Sequence, residues 1–247
     1  MDRLIYIAMN AAGQAQLAQA ATAQNLANVA TTGFRAALAR FGTVEVVGEG
    51  GPTRAFGVIL PPTAHLAPGP VTPTGRDLDV AVEGEGFIAV QAPDGSEGYT
   101  RAGDLRIDAS GRLLTGAGFP VLGNGGPIAL PPAQKVEIGA DGTVSVVPLG
   151  QEASTLAVVD RIKLVRPDPA ALVRGADGLL HRADGGAEPA DAAVRLTSGS
   201  LEGSNVDLTR ALVEMIELGR RFEVHVKLMR EAEEMDRAAA SLLRVAG

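Results

Sequence analysis

Three patterns of apolar and polar residues succeed one another along the chain. From Asp2 to about Ala30, small or apolar residues recur at Leu4, Ala8, Ala11, Ala15, Ala18, Thr22, Asn25 and Val29, in alternating steps of four and three. That spacing draws a single stripe along a helix, and its small side chains let a second helix approach closely. Thr31, Thr32 and Gly33 then predict a stop, because threonine is a modest helix former and glycine accepts the left-handed conformation of a C-terminal cap. Phe34 is placed to fold back on the last turn.

From about Ala36 to Gly199 the pattern changes to period two. LDVAVEG, GFIAVQ, GYTRAGDLRID, GRLLT, KVEIG, GTVSVVP and DRIKLV read as strands. Asp-Gly pairs at 94–95, 141–142, 177–178 and 184–185, with ASG at 109–111, supply hairpin turn chemistry. Prolines at 61, 62, 68, 70 and 73 forbid a helix and point to an extended connector.

From Asn205 to Leu243 helix returns, with Ser204 or Asn205 as candidate cap and Asp207 near the positive end of the dipole. Leu208, Leu212, Met215, Gly219, Phe222, Val226 and Met229 repeat the steps of four and three. Glu217–Arg221, Glu223–Lys227 and Glu233–Arg237 are acid-to-base pairs one turn apart.

Helices of this length pose a problem of cover. At 1.5 Å per residue they run to about 42 and 57 Å, against about 30 Å for a small domain. A lone amphipathic helix takes most of its stability from packing. An alanine stripe buries little area, and Ile216, Leu218, Val224 and Leu228 lie off the main stripe of the second helix. The inference is that neighbouring copies complete the helix pair, and a patch meeting a different patch on the next copy builds rings or filaments. Asn25 and Asn28, on adjacent turns of one face, read either as end-of-helix turn residues or as buried amides fixing register against another helix.

Composition narrows the chemistry. The 247 residues carry a net charge of −7 and 46% apolar residues, which excludes a disordered chain and a phosphate-neutralising nucleic-acid binder. Between Val206 and Gly247 eight acids face seven bases, so a basic membrane-surface helix is not indicated either. Without cysteine there is no disulfide, thiolate zinc site or Cys nucleophile. No apolar run is long enough to cross a bilayer, and the N-terminus lacks the pattern of a cleaved signal peptide. His65, His181 and His225 lack metal-ligand spacing, so no metal or other cofactor is expected. GEGEGF and GAGFPVLGNGG read as backbone turns, because no helix follows them as a nucleotide fingerprint requires. Asp77, Asp79, Glu83 and Glu85 alternate along strands or sit in turns, where solvated surface is their expected place. They leave a glycan-acting or glycan-binding secreted β protein as the alternative from a different class.

NLANVATTGFR (25–35) resembles the N-terminal signature of the bacterial flagellar axial proteins, the rod and hook family. GSLEGSNVDLTRALVEMIELGRRFEVHVKLM (199–229) resembles their C-terminal signature. TGRDLDVAVEGEGFIAVQ with GYTRAGDLRIDASGRLLTGAGFPVLG resembles their β domain. The opening MDRLIYIAM and the connector GPTRAFGVILPPTAHLAPGPVTPTGRDLDV are most similar to proximal-rod members. Ala30 stands where many relatives carry asparagine. The resemblance implies a mixed α and β fold, with N- and C-terminal helices paired as a coiled coil plus a central all-β domain. Its parts are the N-terminal helix and cap motif at 1–35, an extended connector at 36–75, the β body at 76–199 and the C-terminal helix at 200–247.

It also implies a non-enzymatic subunit of the proximal rod, or alternatively of the distal rod, in the periplasm-spanning basal body. The expected partners are copies of itself, other proximal- and distal-rod proteins and the flagellar type III export apparatus, with no nucleic acid and no small-molecule substrate. The expected subunit-contact residues are Leu4, Ile5, Ala8, Ala11, Ala15, Asn25, Asn28, Thr32, Gly33, Phe34, Asn205, Leu212, Met215, Phe222, Val226 and Met229.

Overall fold

The computed structural model describes residues 4–45, 55–150 and 156–245. Residues 1–3 of the expected first helix, 46–54 of the expected connector, 151–155 of the expected β body and 246–247 of the expected last helix lie outside the described residues. The chain forms two compact units. One comprises Met1–Ala27, Ala37–Thr63 and Asp207–Gly247; the other comprises Asn28–Ala36 and Ala64–Val206.

In the first unit, helix α1 (Leu4–Ala27) packs against helix α2 (Leu208–Val245). The expected stripe of α1 is buried at Ala8, Ala15, Ala18 and Thr22, with Ala12 rather than Ala11 filling the gap, while Leu4 is exposed. On α2 the covered line runs through Ala211, Met215, Leu218, Phe222, His225, Met229, Ala232 and Asp236. The expected line shared Met215, Phe222 and Met229 but continued through Leu208 and Leu212, which are exposed. Side-chain size explains the shift. An alanine face seats a partner closely only where the partner also offers small residues, and Ala211 and Ala232 do so where Leu208 and Leu212 would hold the helices apart.

Helix α2 is capped by Asp207, not by Ser204 or Asn205. The Asp207 carboxylate accepts from the Arg210 amide at 3.1 Å, and its carbonyl takes the Ala211 amide at 2.9 Å. Glu217–Arg221 and Glu233–Arg237 form as expected, whereas Lys227 pairs forward with Glu231 at 3.8 Å instead of back to Glu223. All of these side chains are more than half exposed and contribute little to stability. Helix α1 carries no charged residue at all.

The first unit also holds two strands, Ala37–Glu45 and Ala55–Ala64, paired as a two-stranded sheet. This stretch, expected as part of an extended connector, is extended but paired. Helix α1 packs on its first strand, and a Cβ on Gly57 would fall 2.0 Å from Nε2 of Gln14.

The second unit is built of short strands. A five-stranded sheet runs in the order Leu164–Val165, Phe87–Gln91, Glu97–Thr100, Leu180–Arg182, Leu172–Arg174. A three-stranded sheet joins Ala157–Arg161, Thr143–Pro148 and Ala133–Ile138. Two-stranded pairs join Val80–Glu83 to Arg195–Ser198, Val71–Pro73 to Ser200–Glu202, and Leu105–Ile107 to Leu113–Thr115.

Phe87–Gln91 shows why one segment reads as almost continuously apolar. Ile88 and Val90 enter a core with Val80, Leu105, Leu113, Val121, Ile128 and Val144, while Phe87 and Ala89 enter another with Tyr99, Val165, Leu172 and Leu180. Both faces of the strand are covered, so period-two alternation is lost. Tyr99 is fully buried, its hydroxyl accepts from the Glu188 amide at 2.9 Å, and burial pushes its pKa well above the ordinary 10.0. The turn glycines Gly95, Gly111, Gly142, Gly178 and Gly185 all take positive φ, as their Asp-Gly and Ser-Gly contexts require.

The aspartates of these turns act on their own loops. Asp108 accepts from Ser110 Oγ at 2.6 Å, from the Ser110 amide at 2.8 Å and from the Arg112 amide at 2.9 Å. These bonds, the Ser110 hydroxyl foremost, hold its pKa well below the ordinary 3.8, and Ser96 and Thr143 act likewise on Asp94 and Asp141.

Two measurements follow from this packing. Leu113→Ala removes a fully buried side chain and is expected to destabilise the β unit by about 2–5 kcal/mol in urea denaturation. A carboxylate depressed on folding contributes stability above its ordinary pKa and loses it as pH falls through the folded value. The unfolding midpoint of the β unit is therefore expected to drop below about pH 4, and Asp108→Asn to make that acid limb shallower.

Candidate assembly interface

The two signature segments meet within the second unit, where TTGFR (31–35) runs beside GSLEGSN (199–205). The Gly33 amide donates to the Glu202 carbonyl at 2.7 Å, and the Asn205 amide donates to the Phe34 carbonyl at 3.2 Å. Gly33 has φ +65, and a Cβ there would lie 2.2 Å from the Arg101 carbonyl carbon. Glycine is required twice over, for the left-handed turn and for the backbone crossing it. The Phe34 ring faces the Arg174 guanidinium, which lies 5.0 Å from its centroid.

Beneath this crossing lies an ion cluster. Glu202 is 1% exposed and binds Arg35 Nη2 at 2.6 Å through Oε1 and Arg101 Nη1 at 3.0 Å through Oε2. Oε1 also accepts from the Gly69 amide at 2.8 Å. Arg101 donates onward to the Val82 and Gly84 carbonyls and stacks on Phe87, and Arg174 donates to the Arg35 carbonyl. Desolvation is the main influence on Arg101 and lowers its pKa, with Glu202 acting in the opposite sense. The pattern of the two motifs assigns Arg35 and Glu202 no role. The signal was there: Arg35 is the first charged residue after Arg3.

Two of the three motif asparagines, Asn25 and Asn205, act as backbone mimics. In the first unit, Asn25 Nδ2 donates to the Ala37 carbonyl at 2.9 Å and its Oδ1 accepts from the Ala37 amide at 2.7 Å, the double bond pattern of a strand partner. Neither alternative weighed for Asn25 described this. In the second unit, Asn205 Oδ1 accepts from the Ala36 amide at 2.7 Å, and its Nδ2 donates to the carbonyls of His65 and Ala67. Asn28 fits the turn reading, accepting from the Thr31 amide and hydroxyl at 3.1 Å each.

The other expected contact residues divide by unit and by exposure. Gly33 is buried, and Thr32 and Phe34 are half-covered in the second unit. Ala8 and Ala15 lie in the α1–α2 seam, flanked by Ile5, Ala11, Met215, Phe222, Val226 and Met229. Leu4 and Leu212 face water, and they are not alone. Tyr6 (54% exposed), Ile7, Met9 and Leu17 (58%) stand out from α1, and Val213, Ile216 (59%) and Val224 from α2. The two-stranded sheet adds Leu38, Phe41 and Val44.

Of the four carboxylates singled out for possible chemistry, Asp77, Glu83 and Glu85 are exposed, as expected. Asp79 is buried, contrary to the expectation of a solvated residue. It pairs with Arg76 at 2.8 Å and accepts from Thr74 Oγ1 at 2.7 Å, interactions that make up for its lost water. Glu83 accepts from Thr197 Oγ1 at 2.5 Å. Among the described residues no group of three or more His, Asp or Glu side chains is arranged to hold a metal ion, and no helix is long and apolar enough to cross a membrane.

Comparison with known proteins gives these features a common setting. Residues 5–35 match the family described as flagella basal body rod protein, residues 81–146 the flagellar hook protein FlgE/F/G D1 domain, and residues 197–242 the flagellar basal body rod FlgEFG protein C-terminal region. The chain is 43% identical over 249 residues to the flagellar basal-body rod protein FlgF of Escherichia coli K12, covering 98% of this chain and 99% of the relative. It is 32% identical to FlgF of Caulobacter vibrioides, covering 98% of each chain, and 35% identical to the rod protein FlgG of Bacillus subtilis, covering 69% of this chain and 67% of the relative.

Glu202→Gln tests the ion cluster. Removing the charge leaves Arg35 and Arg101 buried without a carboxylate, so a loss of about 3–5 kcal/mol is expected in urea denaturation of the full chain. Asn205→Ala, which unties three backbone groups without stranding a charge, is expected to cost less.

Proposed function

The chain belongs to the flagellar basal-body rod protein family and is a structural subunit of the proximal rod; we propose that its two helices build it into a helical tube that transmits torque for motility. The observation that carries this reading is the large apolar side chains that the helix pair leaves in water. Folding removes such groups from water at about 25 cal/mol per Å², and the α1–α2 seam uses mainly alanines for that purpose. Tyr6, Ile7, Met9, Leu17, Val213, Ile216 and Val224 are left over. Copies of this chain and other rod proteins cover them.

This reading revises the contact set. Ala8 and Ala15 join helix to helix within one subunit. The outward side chains, Leu4 and Leu212 with them, join one subunit to the next. A patch of α1 meeting a different patch of α2 on the neighbour propagates as a helix of subunits instead of closing as a dimer. Stiffness comes from the close approach that the alanine seam permits, and the β unit adds lateral contacts. The subunit reaches the periplasm-spanning basal body through the flagellar type III export apparatus. Its role is structural and calls for no catalysis. The bonds that occupy Asp79 and Glu83 support this against a glycan-cleaving function.

The test separates the seam from the outward face. Val213→Asp with Ile216→Asp is expected to leave the soluble chain's unfolding midpoint unchanged while abolishing incorporation into basal bodies and swimming. Deleting residues 1–30 is expected to abolish both while the β unit stays folded. Normal incorporation of either variant overturns the tube.

A further inference from the structure

We propose that Asn124 is a modification site at which the folded chain deamidates spontaneously through a cyclic imide formed with Gly125. The chain has five asparagines, Asn10, Asn25, Asn28, Asn124 and Asn205, and only Asn124 precedes a glycine. The others are followed by Ala11, Leu26, Val29 and Val206, whose side chains crowd the amide nitrogen that must attack. Asn25 and Asn205 also have both ends of their side-chain amides bonded to backbone.

Asn124 and Gly125 are exposed at the tip of a loop closed by a bond from the Gly123 amide to the Gly126 carbonyl at 2.7 Å. Among the described residues, the Gly125 amide donates no hydrogen bond, which leaves its nitrogen available. An Asn-Gly pair at a loop tip usually serves a turn with positive φ at both residues. Neither residue takes a positive φ here, and a Cβ on Gly125 would meet nothing within 4 Å. The fold requires glycine at 125 neither for conformation nor for space.

The reaction balances with water alone. The Gly125 nitrogen forms a bond to Asn124 Cγ, the bond from Cγ to the side-chain nitrogen breaks, and ammonia departs with the proton from the Gly125 amide. Water then opens the imide. Addition at Cγ gives aspartate with the original backbone, and addition at the main-chain carbonyl carbon gives isoaspartate, with the backbone rerouted through Cβ. Either product places a new negative charge beside Asp160, whose Oδ1 accepts from the Asn124 amide at 3.3 Å.

The experiment follows the purified full chain in mildly alkaline buffer at growth temperature, with mass spectrometry of the tryptic peptide spanning 113–135. That peptide is expected to gain the mass of an amide-to-acid conversion progressively and to split into two products of equal mass. Peptides carrying the other four asparagines are expected to stay unchanged. Gly125→Ala is expected to keep the unfolding midpoint and slow the conversion several-fold. Two results would overturn the proposal: an unmodified Asn124 after a free peptide of the same loop sequence has fully converted, or an equal rate in Gly125→Ala.

Discussion

One carboxylate sealed from water organises the β unit. Glu202 draws together Arg35, Gly69 and Arg101, residues that come from three separate stretches of the chain. Burying such charges costs several kcal/mol per ion before any attraction is counted, so this cluster is a poor way to gain stability. It is an effective way to specify position. A strand that slipped by one residue would strand a guanidinium or a carboxylate in the interior, whereas a slipped apolar contact would cost much less. With the cluster fixed, the Gly33 crossing and the Asn205 bonds fall into register beside it.

The first unit follows the opposite logic. Its seam is lined on α1 by alanines that hold two helices close and bury little surface, and large apolar side chains such as Tyr6, Leu17 and Ile216 face outward. A chain meant to stay solitary would put those groups inside. In the proposed tube the exposed apolar surface of one subunit is what the next completes, so the stability of the subunit and the assembly of the rod are linked in one energy balance.

Much of this arrangement was legible in the residues. Both helices follow from the four–three spacing, and each segment read from period two contains a strand, although GYTRAGDLRID and DRIKLV are each broken into two. The turn glycines sit where Asp-Gly and Ser-Gly pairs placed them. What escaped was set by partners distant in sequence. The rotation of α2 that favours Ala211 over Leu212 depends on the alanine face of α1, which no hydrophobicity pattern in α2 encodes. The pairing of Ala37–Glu45 with Ala55–Ala64 was hidden because prolines and glycines make that segment look like a connector. Asn25 was recognised as meaningful, but its partner is a backbone unit, which has no sequence signature. Arg35 and Glu202 are ordinary surface residues by type, and only three-dimensional closure makes them a buried pair.

The absence of charge on α1 has a consequence for how this surface sticks. Ionic strength weakens attractions between exposed charges by shortening the Debye length, and α1 offers none to weaken. The proposed adhesion through the exposed Tyr6, Ile7 and Leu17 rests instead on water's reluctance to wet hydrocarbon, which sulfate-like salts reinforce and cold diminishes. In the proposed tube, the α1 side of each joint is therefore less sensitive to ionic screening than to cooling.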